Sequence, residues 1–331
     1  MTDSSNLVRL DNGKIVDGYK VIKKLGEGAF GAVYAVEDTM GRKAALKAES
    51  VNEKVPLLRL ELIVMQRLKA RNAVHMADLI DKGRFEHFNY IVMKLLGKSL
   101  QEAKKTGPNQ HMSLGPAIGC SIQCLEALEE LHWAGFLHRD VKPGNFAIGR
   151  AETGDIRRLY ILDFGMCRKY VDNNNVMLQP RKKAPFRGTP RYAPIASHNG
   201  KEHCRRDDIE SCKKNGTTAN KAYMKTPLKQ NVGSDHPYLM HQTLLKHHIR
   251  SDSCNASPNM VGKTKVNSRQ EPLLSEMMKL CPRKEYKEVL DHIDSLQFFD
   301  EPNYELIYIT LRRAMSRKSV KEFPYDWEED R

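Results

Sequence analysis

One short run, from His138 to Asn145, combines three kinds of polar side chain that could do chemistry. It contains a carboxylate at Asp140, an ammonium group at Lys142 and an amide at Asn145. A second carboxylate, Asp163, follows a strand-like apolar run and precedes Phe-Gly. Two carboxylates and an amide near an anion suit Mg²⁺, a hard cation that prefers oxygen ligands. The pattern predicts a site where a divalent cation meets a phosphate group.

Three glycines, Gly26, Gly28 and Gly31, lie between two strand-like runs near the N-terminus. Glycine lets backbone amides approach phosphate oxygens, because no Cβ stands in the way. Three glycines between strands are also typical of an ordinary tight hairpin, so this motif alone leaves both interpretations open. A strand-like run rather than a helix follows the glycines, which excludes the dinucleotide-binding fold.

One carboxylate interrupts an otherwise apolar helix face. The recurrence of apolar residues predicts a helix over 57–68, and Glu61 falls at the centre of its apolar stripe. An ionised carboxylate there is unfavourable unless a cation meets it. Lys47, at the end of the preceding strand, is the expected partner, and the pair would direct the ammonium group at phosphates. The alternative is a glutamate that turns outward to Arg59 or Lys54.

The elements that must position these residues are strands followed by helices. Short alternating runs separated by turns predict an antiparallel meander over 19–47, with two further strands near 77–83 and 88–93. The clearest helical period runs over 118–132. This order predicts an α+β fold, with a small antiparallel-sheet lobe that contains one helix and a larger, mainly helical lobe.

The motifs stand in the order and at the spacing of the protein kinase family, which the chain resembles. More narrowly, it is similar to the casein kinase 1 group, closest to the tau-tubulin kinase branch. That similarity lies in Phe-Arg-Gly-Thr-Pro-Arg-Tyr-Ala at 186–193, Arg-Arg-Asp-Asp-Ile-Glu-Ser at 205–211 and Pro-Tyr-Asp-Trp-Glu at 324–328. The resemblance covers 18–211 and 273–329.

This resemblance implies a bilobal kinase domain over 18–329, with an N-lobe over 18–95 and a C-lobe over 96–329. It also implies ATP-dependent transfer of a phosphoryl group to Ser or Thr of protein substrates. The alternative, from another functional class, is a kinase-shaped binding module that docks partners without transferring phosphate.

The resemblance assigns roles to the polar residues. Asp140 would orient the substrate hydroxyl and accept its proton, and Lys142 would stabilise charge on the transferring phosphoryl group. Asn145 and Asp163 would hold Mg²⁺. At the start of a central helix, Asp208 would bond the backbone at 138–139.

The resemblance also implies an ATP site. Lys47, braced by Glu61, would hold the phosphates. Adenine would bond the backbone around 94–96, behind a gatekeeper at Met93. Family members usually carry an acidic or amide residue at the position of Lys94. This difference is expected to matter little for nucleotide binding, because the backbone makes the bonds to adenine. The other expected nucleotide contacts are Leu25, Gly26, Gly28, Gly31, Val33 and Leu95.

Five cations follow in one loop region: Arg181, Lys182, Lys183, Arg187 and Arg191. Basic loops are often only solvated, and that interpretation stays open. The alternative is a site for acidic or already phosphorylated substrates, since guanidinium groups match phosphate oxygens. Arg187 and Arg191 are the expected residues, and Arg191 is favoured because its counterpart in the family faces such anions.

One segment departs from the family. Residues 212–270 carry +8 of the net charge of +13. A long apolar helix is expected after Ser211, but Asn-Gly and paired threonines predict a poor helix. A mistaken reading of the coding region and real decay into a catalytically dead relative both account for this segment. Its basicity alone suggests nucleic acid, but it lacks interleaved aromatic residues and any known module.

Composition excludes several classes of protein. Hydrophobic residues at 40% and charged residues at 29% are typical of a globular chain. No apolar run reaches about eighteen residues, so no membrane-spanning helix is expected. Seven cysteines without a CxxC pair favour a reducing compartment, cytoplasm or nucleus. The family resemblance implies protein substrates, and we expect a monomer that binds neither nucleic acid nor membrane.

Overall fold

The computed structural model describes residues 7–28, 31–107, 111–219, 258–278 and 281–328. The strands are β1 Ile15–Val16, β2 Tyr19–Gly28, β3 Gly31–Glu37, β4 Lys43–Ser50, β5 Leu79–Phe85, β6 Phe88–Lys94, β7 Phe136–Leu137, β8 Phe146–Ile148, β9 Leu159–Ile161 and β10 Arg168–Lys169. The α-helices are α1 Leu57–Lys69, α2 Leu100–Ala103, α3 Leu114–Trp133, α4 Ile195–His198, α5 Arg205–Ala219, α6 Pro258–Asn267, α7 Leu273–Met277, α8 Arg283–Ser295 and α9 Tyr304–Arg317.

An antiparallel sheet forms the N-terminal lobe, with its six strands in the order β1-β2-β3-β4-β6-β5. One face packs around Tyr34, Leu46 and Phe88, which are all fully buried. The other face packs against α1, which buries Val64 and Met65 toward it. The alternating residues of β3 and β4 thus fill both faces, as period-two side-chain geometry requires.

Helix α3 is the centre of the helical lobe. One of its faces, which includes Cys124 and Leu128, packs toward the β8–β9 hairpin and the N-terminal lobe. Its other face, which includes Ile118 and Leu125, packs with α8 and α9. Burial of each large apolar side chain contributes about 1.5 to 3 kcal/mol, so this helix holds the two halves of the lobe together. The expected α+β fold, a sheet lobe followed by a mainly helical lobe, is confirmed.

The prediction of a poor helix after Ser211 is wrong over 212–219, because α5 continues to Ala219. Two aspartates in its first turn favour helix formation at the positive end of the helix dipole. Buried Ile209 and Cys212 pack against α3, so tertiary contacts outweigh weak local propensity. The same basic segment contains α6, and its central part, 220–257, lies outside the described residues.

In the part of the chain that the structure describes, no helix combines the length and the apolar composition needed to cross a bilayer.

Candidate active site

The loop over 138–145 is fixed by hydrogen bonds from its backbone to Asp208, in the first turn of α5. The Asp208 carboxylate accepts the backbone N–H of His138 at 2.7 Å and that of Arg139 at 2.8 Å. Asp208 is 2% exposed, and its Oδ2 also lies 3.0 Å from Nε2 of His132 on α3. Burial opposes ionisation of Asp208, but these partners outweigh it and lower the pKa of the carboxyl. The expected bond between Asp208 and the loop backbone is confirmed.

Asp140 is held in one orientation by three neighbours. Its Oδ1 accepts the backbone N–H of Thr189 at 2.7 Å and the Thr189 hydroxyl at 2.8 Å. Its Oδ2 accepts Nζ of Lys142 at 2.6 Å, and the Asn145 amide donates weakly to it at 3.4 Å. A carboxylate fixed in this way can receive a proton from a hydroxyl that is brought to it, without first reorganising.

Asn145 and Asp163 lie side by side although they are far apart in sequence. Leu162 donates its N–H to the backbone oxygen of Asn145 at 2.8 Å, which places the next residue, Asp163, beside the loop. Asn145 Nδ2 donates to the backbone oxygen of Asp140 at 2.9 Å, so the amide oxygen is the end available to a cation. An amide oxygen and a carboxylate are both ligands that Mg²⁺ accepts, and these two residues therefore fit that ion.

An ion-pair network joins the sheet, α1 and Asp163. Lys47 Nζ lies 2.5 Å from Glu61 Oε2 and 3.2 Å from Asp163 Oδ1. Burial raises the pKa of Glu61, which is 3% exposed, and the Lys47 charge opposes that rise. Burial disfavours the charged form of Lys47, but its two carboxylate partners outweigh it and raise the pKa of the ammonium group. The expected pairing of Lys47 with Glu61 is confirmed, rather than an outward-facing glutamate.

Asp163 carries its charge toward the cleft. Its side chain is 48% exposed. Burial opposes its ionisation, but the Lys47 ammonium group outweighs burial and lowers the pKa of the carboxyl. The cleft therefore presents an ionised carboxylate beside a charged lysine, which is an arrangement suited to a cation bound to a polyphosphate.

The glycine-rich hairpin joins β2 to β3 above this network, with Gly28 paired to Gly31 and Gly26 paired to Val33. A Cβ on Gly31 would lie 2.4 Å from the backbone oxygen of Ala48, so this glycine is required by the packing of β3 on β4. A Cβ on Gly26 would have no atom within 4 Å, so a side chain there would enter open space. Sheet packing therefore accounts for Gly31, and the open space beside Gly26 leaves the phosphate-cradle interpretation as a prediction.

The other residues expected to contact the nucleotide lie on β2, β3 and β6 or directly after β6. Met93, 8% exposed, pairs with Ala45 in the sheet register and belongs to the apolar cluster under α1. Val33 and Leu95 are partly buried against the same cluster. Leu25 is 46% exposed at the outer end of β2. The cleft therefore has apolar walls next to the charged network, as a nucleotide base and its phosphates require.

The two arginines expected to bind anions lie in different surroundings. Arg187 is close enough to Arg139 that burial of Arg139, together with Arg168 and Arg187, lowers the Arg139 pKa to about 10. The Arg191 guanidinium lies 5.8 Å from the Tyr192 ring centroid, and its charge also acts on Lys104. Arg181, from the same basic loop, pairs with Glu202.

Thr189 is a site residue that sequence reasoning did not single out. Its hydroxyl contacts Asp140 at 2.8 Å and Lys142 Nζ at 3.1 Å. Gly188 makes this contact possible, because its φ is +95° and a Cβ there would lie 2.8 Å from the backbone oxygen of Arg139. The signal was the glycine, since a residue that must approach another backbone closely favours glycine.

Comparisons with known proteins agree with this arrangement. The family model described as protein kinase domain matches residues 19–292. The chain is 33% identical over 316 residues to the serine/threonine-protein kinase spe-6 of Caenorhabditis elegans, covering 94% of this chain and 75% of that protein. It is 30% identical over 319 residues to a probable serine/threonine-protein kinase of Dictyostelium discoideum, covering 96% of this chain and 58% of that protein.

A shorter match is closer in sequence. A putative serine/threonine-protein kinase of Caenorhabditis elegans is 40% identical over 198 residues, covering 58% of this chain and 56% of that protein. The family model spans both the glycine-rich hairpin and the loop that holds Asp140. The chain therefore belongs to the protein kinase family and is a serine/threonine protein kinase.

Proposed function

We propose that this kinase transfers the γ-phosphoryl group of Mg-ATP to Ser or Thr of acidic or already phosphorylated proteins, with the residues of the cleft in the roles that the family pattern implies. One observation carries the proposal. Hydrogen bonds connect residues up to 116 positions apart: Lys47 bonds Asp163, and Asn145 bonds Asp140. The backbone bond from Leu162 to Asn145 joins the two pairs. A single cleft thus offers groups for the phosphates, the cation and the attacking hydroxyl.

Asp140 acts on the substrate hydroxyl. Its carboxylate accepts the hydroxyl proton as the oxygen forms its bond to the γ-phosphorus, and the bond from that phosphorus to the leaving oxygen of ADP breaks. Lys142 and Thr189 hold the carboxylate still by their hydrogen bonds to it. Lys142 also places a positive charge where the transferring phosphoryl group gathers negative charge.

The nucleotide is held by the other groups of the cleft. Lys47, fixed by Glu61, binds the phosphates, and the backbone of the glycine-rich hairpin covers them. Adenine lies between the apolar walls given by Val33, Met93 and Leu95, against the 94–96 backbone. Asn145 and Asp163 hold Mg²⁺, and when bound the ion neutralises phosphate charge.

The exchange of Asp140→Asn tests the enzymatic proposal. Asparagine keeps the shape of the side chain but takes up no proton, so phosphate incorporation into a protein substrate should fall by at least about 100-fold. Mg-ATP should still raise the Tm of the variant, since the nucleotide site is intact. The measurement is radiolabelled phosphate transfer next to a thermal-shift assay.

A surface aspartate provides the matched control. Asp291 on α8 pairs with Lys287 and is 60% exposed, so Asp291→Asn should leave phosphate transfer unchanged. Equal transfer by wild type and Asp140→Asn would contradict the assigned role. A wild-type chain that binds Mg-ATP but transfers no phosphate would favour the alternative, a kinase-shaped binding module.

We infer a preference for anionic substrates from two exposed arginines. We propose that the chain belongs to the casein kinase 1 group, close to its tau-tubulin kinase branch, and that Arg187 and Arg191 bind acidic or phosphorylated residues of the substrate. Both arginines are exposed near Thr189, which contacts Asp140, so an anion on them would lie close to the target hydroxyl. Guanidinium groups bind phosphate and carboxylate through paired hydrogen bonds.

Replacement of Arg191 by alanine should raise the KM for an acidic peptide by about fivefold to tenfold and leave that for a neutral peptide unchanged. Peptides that differ only in the residues flanking the target serine supply the comparison. Lys182→Ala, in the same exposed basic loop, is the control and should change neither value. An equal rise in KM for both peptides would refute the assignment.

The wider organisation is proposed on the same basis. Residues 18–329 act as one monomeric kinase domain, with 212–270 as an atypical basic segment within its C-lobe. The contacts of α5 and α6 with the rest of that lobe support a single domain. Cytoplasm or nucleus is the proposed compartment, on the cysteine usage of the sequence.

A further inference from the structure

The last residue of β6 extends its side chain from one lobe into the other. Lys94 belongs to the N-terminal sheet, and its amide donates to the backbone oxygen of Asp78 at 2.9 Å. Its Nζ lies 2.6 Å from Asp155 Oδ2 and 3.2 Å from the Tyr160 hydroxyl. Asp155 and Tyr160 both belong to the β8–β9 hairpin of the helical lobe, in its connection and its second strand. A single side chain therefore bridges the two lobes.

The receiving carboxylate is built into the hairpin. Asp155 accepts the backbone N–H of Arg150 at 3.1 Å, and the hydroxyls of Thr153 and Tyr160 also donate to it. Its side chain is 11% exposed and that of Lys94 is 21% exposed. A partly buried ion pair with this many hydrogen bonds is held more firmly than a pair on an open surface.

Charge favours the same contact from both sides. Burial opposes ionisation of Asp155, but hydrogen bonds from Lys94, Thr153 and Tyr160 outweigh it and hold the pKa of the carboxyl low. Burial also disfavours the charged form of Lys94, but Asp155 outweighs it and raises the pKa of the ammonium group. The Lys94 Nζ in addition lies 5.1 Å from the centroid of the Tyr160 ring.

The chain just after Lys94 is tied to the same hairpin through its backbone. Gly97 donates its N–H to the backbone oxygen of Ile148 at 2.8 Å, and Ile148 donates to that of Lys98 at 3.0 Å. The segment 94–98 is thus fixed at one end by the Lys94 side chain and at the other by a pair of backbone hydrogen bonds. Both fixed points lie on the β8–β9 hairpin.

We propose that Lys94 is a positioning residue for the nucleotide, and that its ion pair with Asp155 fixes the 94–96 backbone in the orientation that binds adenine. This inference rests on the proposed function, in which that backbone faces adenine. It replaces the expectation that a lysine at this position matters little. The peptide groups would still make the contacts, but the side chain sets the direction in which they point.

A positioning role at the adenine end differs measurably from a merely structural one. Loss of the Lys94–Asp155 ion pair should lower the affinity for ATP and for adenosine by the same factor, because both molecules carry the adenine base. Loss of a contact to the phosphates would lower the affinity for ATP and leave that for adenosine unchanged. A general loss of stability would lower the Tm without changing the ratio of the two affinities.

The test compares Lys94→Met, Lys94→Arg and Asp155→Asn in the full chain. Methionine keeps the length of the side chain and removes its charge, so the KM for ATP and the Ki for adenosine should both rise by about threefold to tenfold. The kcat and the KM for the peptide substrate should stay within about twofold of wild type. Lys94→Arg should restore most of the nucleotide affinity, because it keeps the charge.

Asp155→Asn approaches the same contact from the other lobe and should reproduce the result of Lys94→Met. The double variant should be no weaker than either single one, because one contact is lost in all three. Lys82→Met, an exposed lysine on the neighbouring strand β5, is the matched control and should behave as wild type.

Three outcomes would contradict the proposed positioning role of the Lys94–Asp155 ion pair. They are an unchanged KM for ATP in Lys94→Met or Asp155→Asn, a loss confined to ATP, and additive effects in the double variant. Should Lys94→Met fail to fold, Asp155→Asn and Lys94→Arg decide by the same criteria. A wild-type chain without phosphate transfer would instead contradict the proposed function, so the two failures are distinguishable.

Discussion

Arg139 and Asp163 share an uncommon backbone conformation. Their φ angles are 67° and 64°, in the left-handed region that residues other than glycine rarely adopt. Such conformations persist only where surrounding contacts hold them. The Arg139 amide donates to Asp208 at 2.8 Å, and the Asp163 carboxylate accepts Lys47 at 3.2 Å. Backbone strain therefore lies at Asp163, within the proposed site, and at Arg139, next to Asp140, where fixed geometry favours phosphoryl transfer.

Asp207, next to the anchoring Asp208, gives this fold a specific pH dependence. It is 2% exposed, and burial raises its pKa to about 7. In the unfolded chain the same carboxyl loses its proton near its ordinary value of 3.8. Between these values the folded chain holds a proton that the unfolded chain has released. The contribution of Asp207 to stability is therefore full below about pH 4 and is lost as the pH rises to about 7.

Asp207→Asn should remove this dependence. The amide still accepts the Cys204 N–H, which the wild-type carboxylate accepts at 2.7 Å, and it carries no charge at any pH. Relative to wild type, the variant should gain up to about 4 kcal/mol of unfolding free energy between pH 4 and pH 8. Urea denaturation across this range measures the effect. If the unfolding free energies of the two proteins changed with pH in parallel, burial would not raise the pKa of Asp207.

Among the elements, α1 is held by a residue that lies outside it. Pro56 at its N-cap makes no side-chain capping bond, and its first turn contains no acidic residue. Glu49 on β4, 4% exposed, instead accepts the backbone N–H of Leu58 at 3.0 Å. Strand β4 also carries Lys47, the partner of Glu61 on α1. The strand therefore fixes the helix both at its start and at its central carboxylate.

Glu49→Ala should loosen this attachment. Loss of a helix cap typically costs about 1 kcal/mol of unfolding free energy, and kcat/KM should fall with it because Glu61 lies one turn further along α1. Hydrogen exchange at the Leu58 amide should increase, while Glu49→Gln, which keeps an acceptor oxygen, should lie between Ala and wild type.

Glu53→Ala is the control, since Glu53 lies in the connection between β4 and α1. It should leave both the exchange rate and kcat/KM unchanged. Unaltered exchange at Leu58 in Glu49→Ala would show that the cap does not hold the helix.

At the scale of the whole molecule, Asp326 and Trp327 near the end of the chain contact the start of α3 and the β8–β9 connection. Asp326 accepts the backbone N–H of Ser113, the residue before α3, at 2.6 Å. The Trp327 indole donates to the backbone oxygen of Ile156 at 3.1 Å, in the hairpin connection that also holds Asp155. Since Asp155 binds Lys94, the segment with Asp326 and Trp327 supports the same connection to which the proposed positioning residue Lys94 is tied.

Local pattern alone was sufficient for much of this protein. The strands of the first lobe, the helix over 57–68 and the order of the catalytic motifs followed from residue spacing, because period and turn residues act over a few positions. Even the pairing of Lys47 with Glu61 was predictable, since a carboxylate in an apolar stripe requires a cation. In α5 the same reasoning failed over 212–219, because the helix, which packs on α3 through Ile209 and Cys212, continues to Ala219 despite weak helix propensity.

Only the tertiary structure decided which distant side chains meet. Thr189 reaches Asp140 across 49 positions, and Lys94 reaches Asp155 across 61. Glu49 caps a helix to which it does not belong. None of these contacts has a local signature, because each depends on how the lobes and the hairpin pack together. Sequence therefore determined the chemistry that the chain carries, and packing determined the neighbours that hold that chemistry in place.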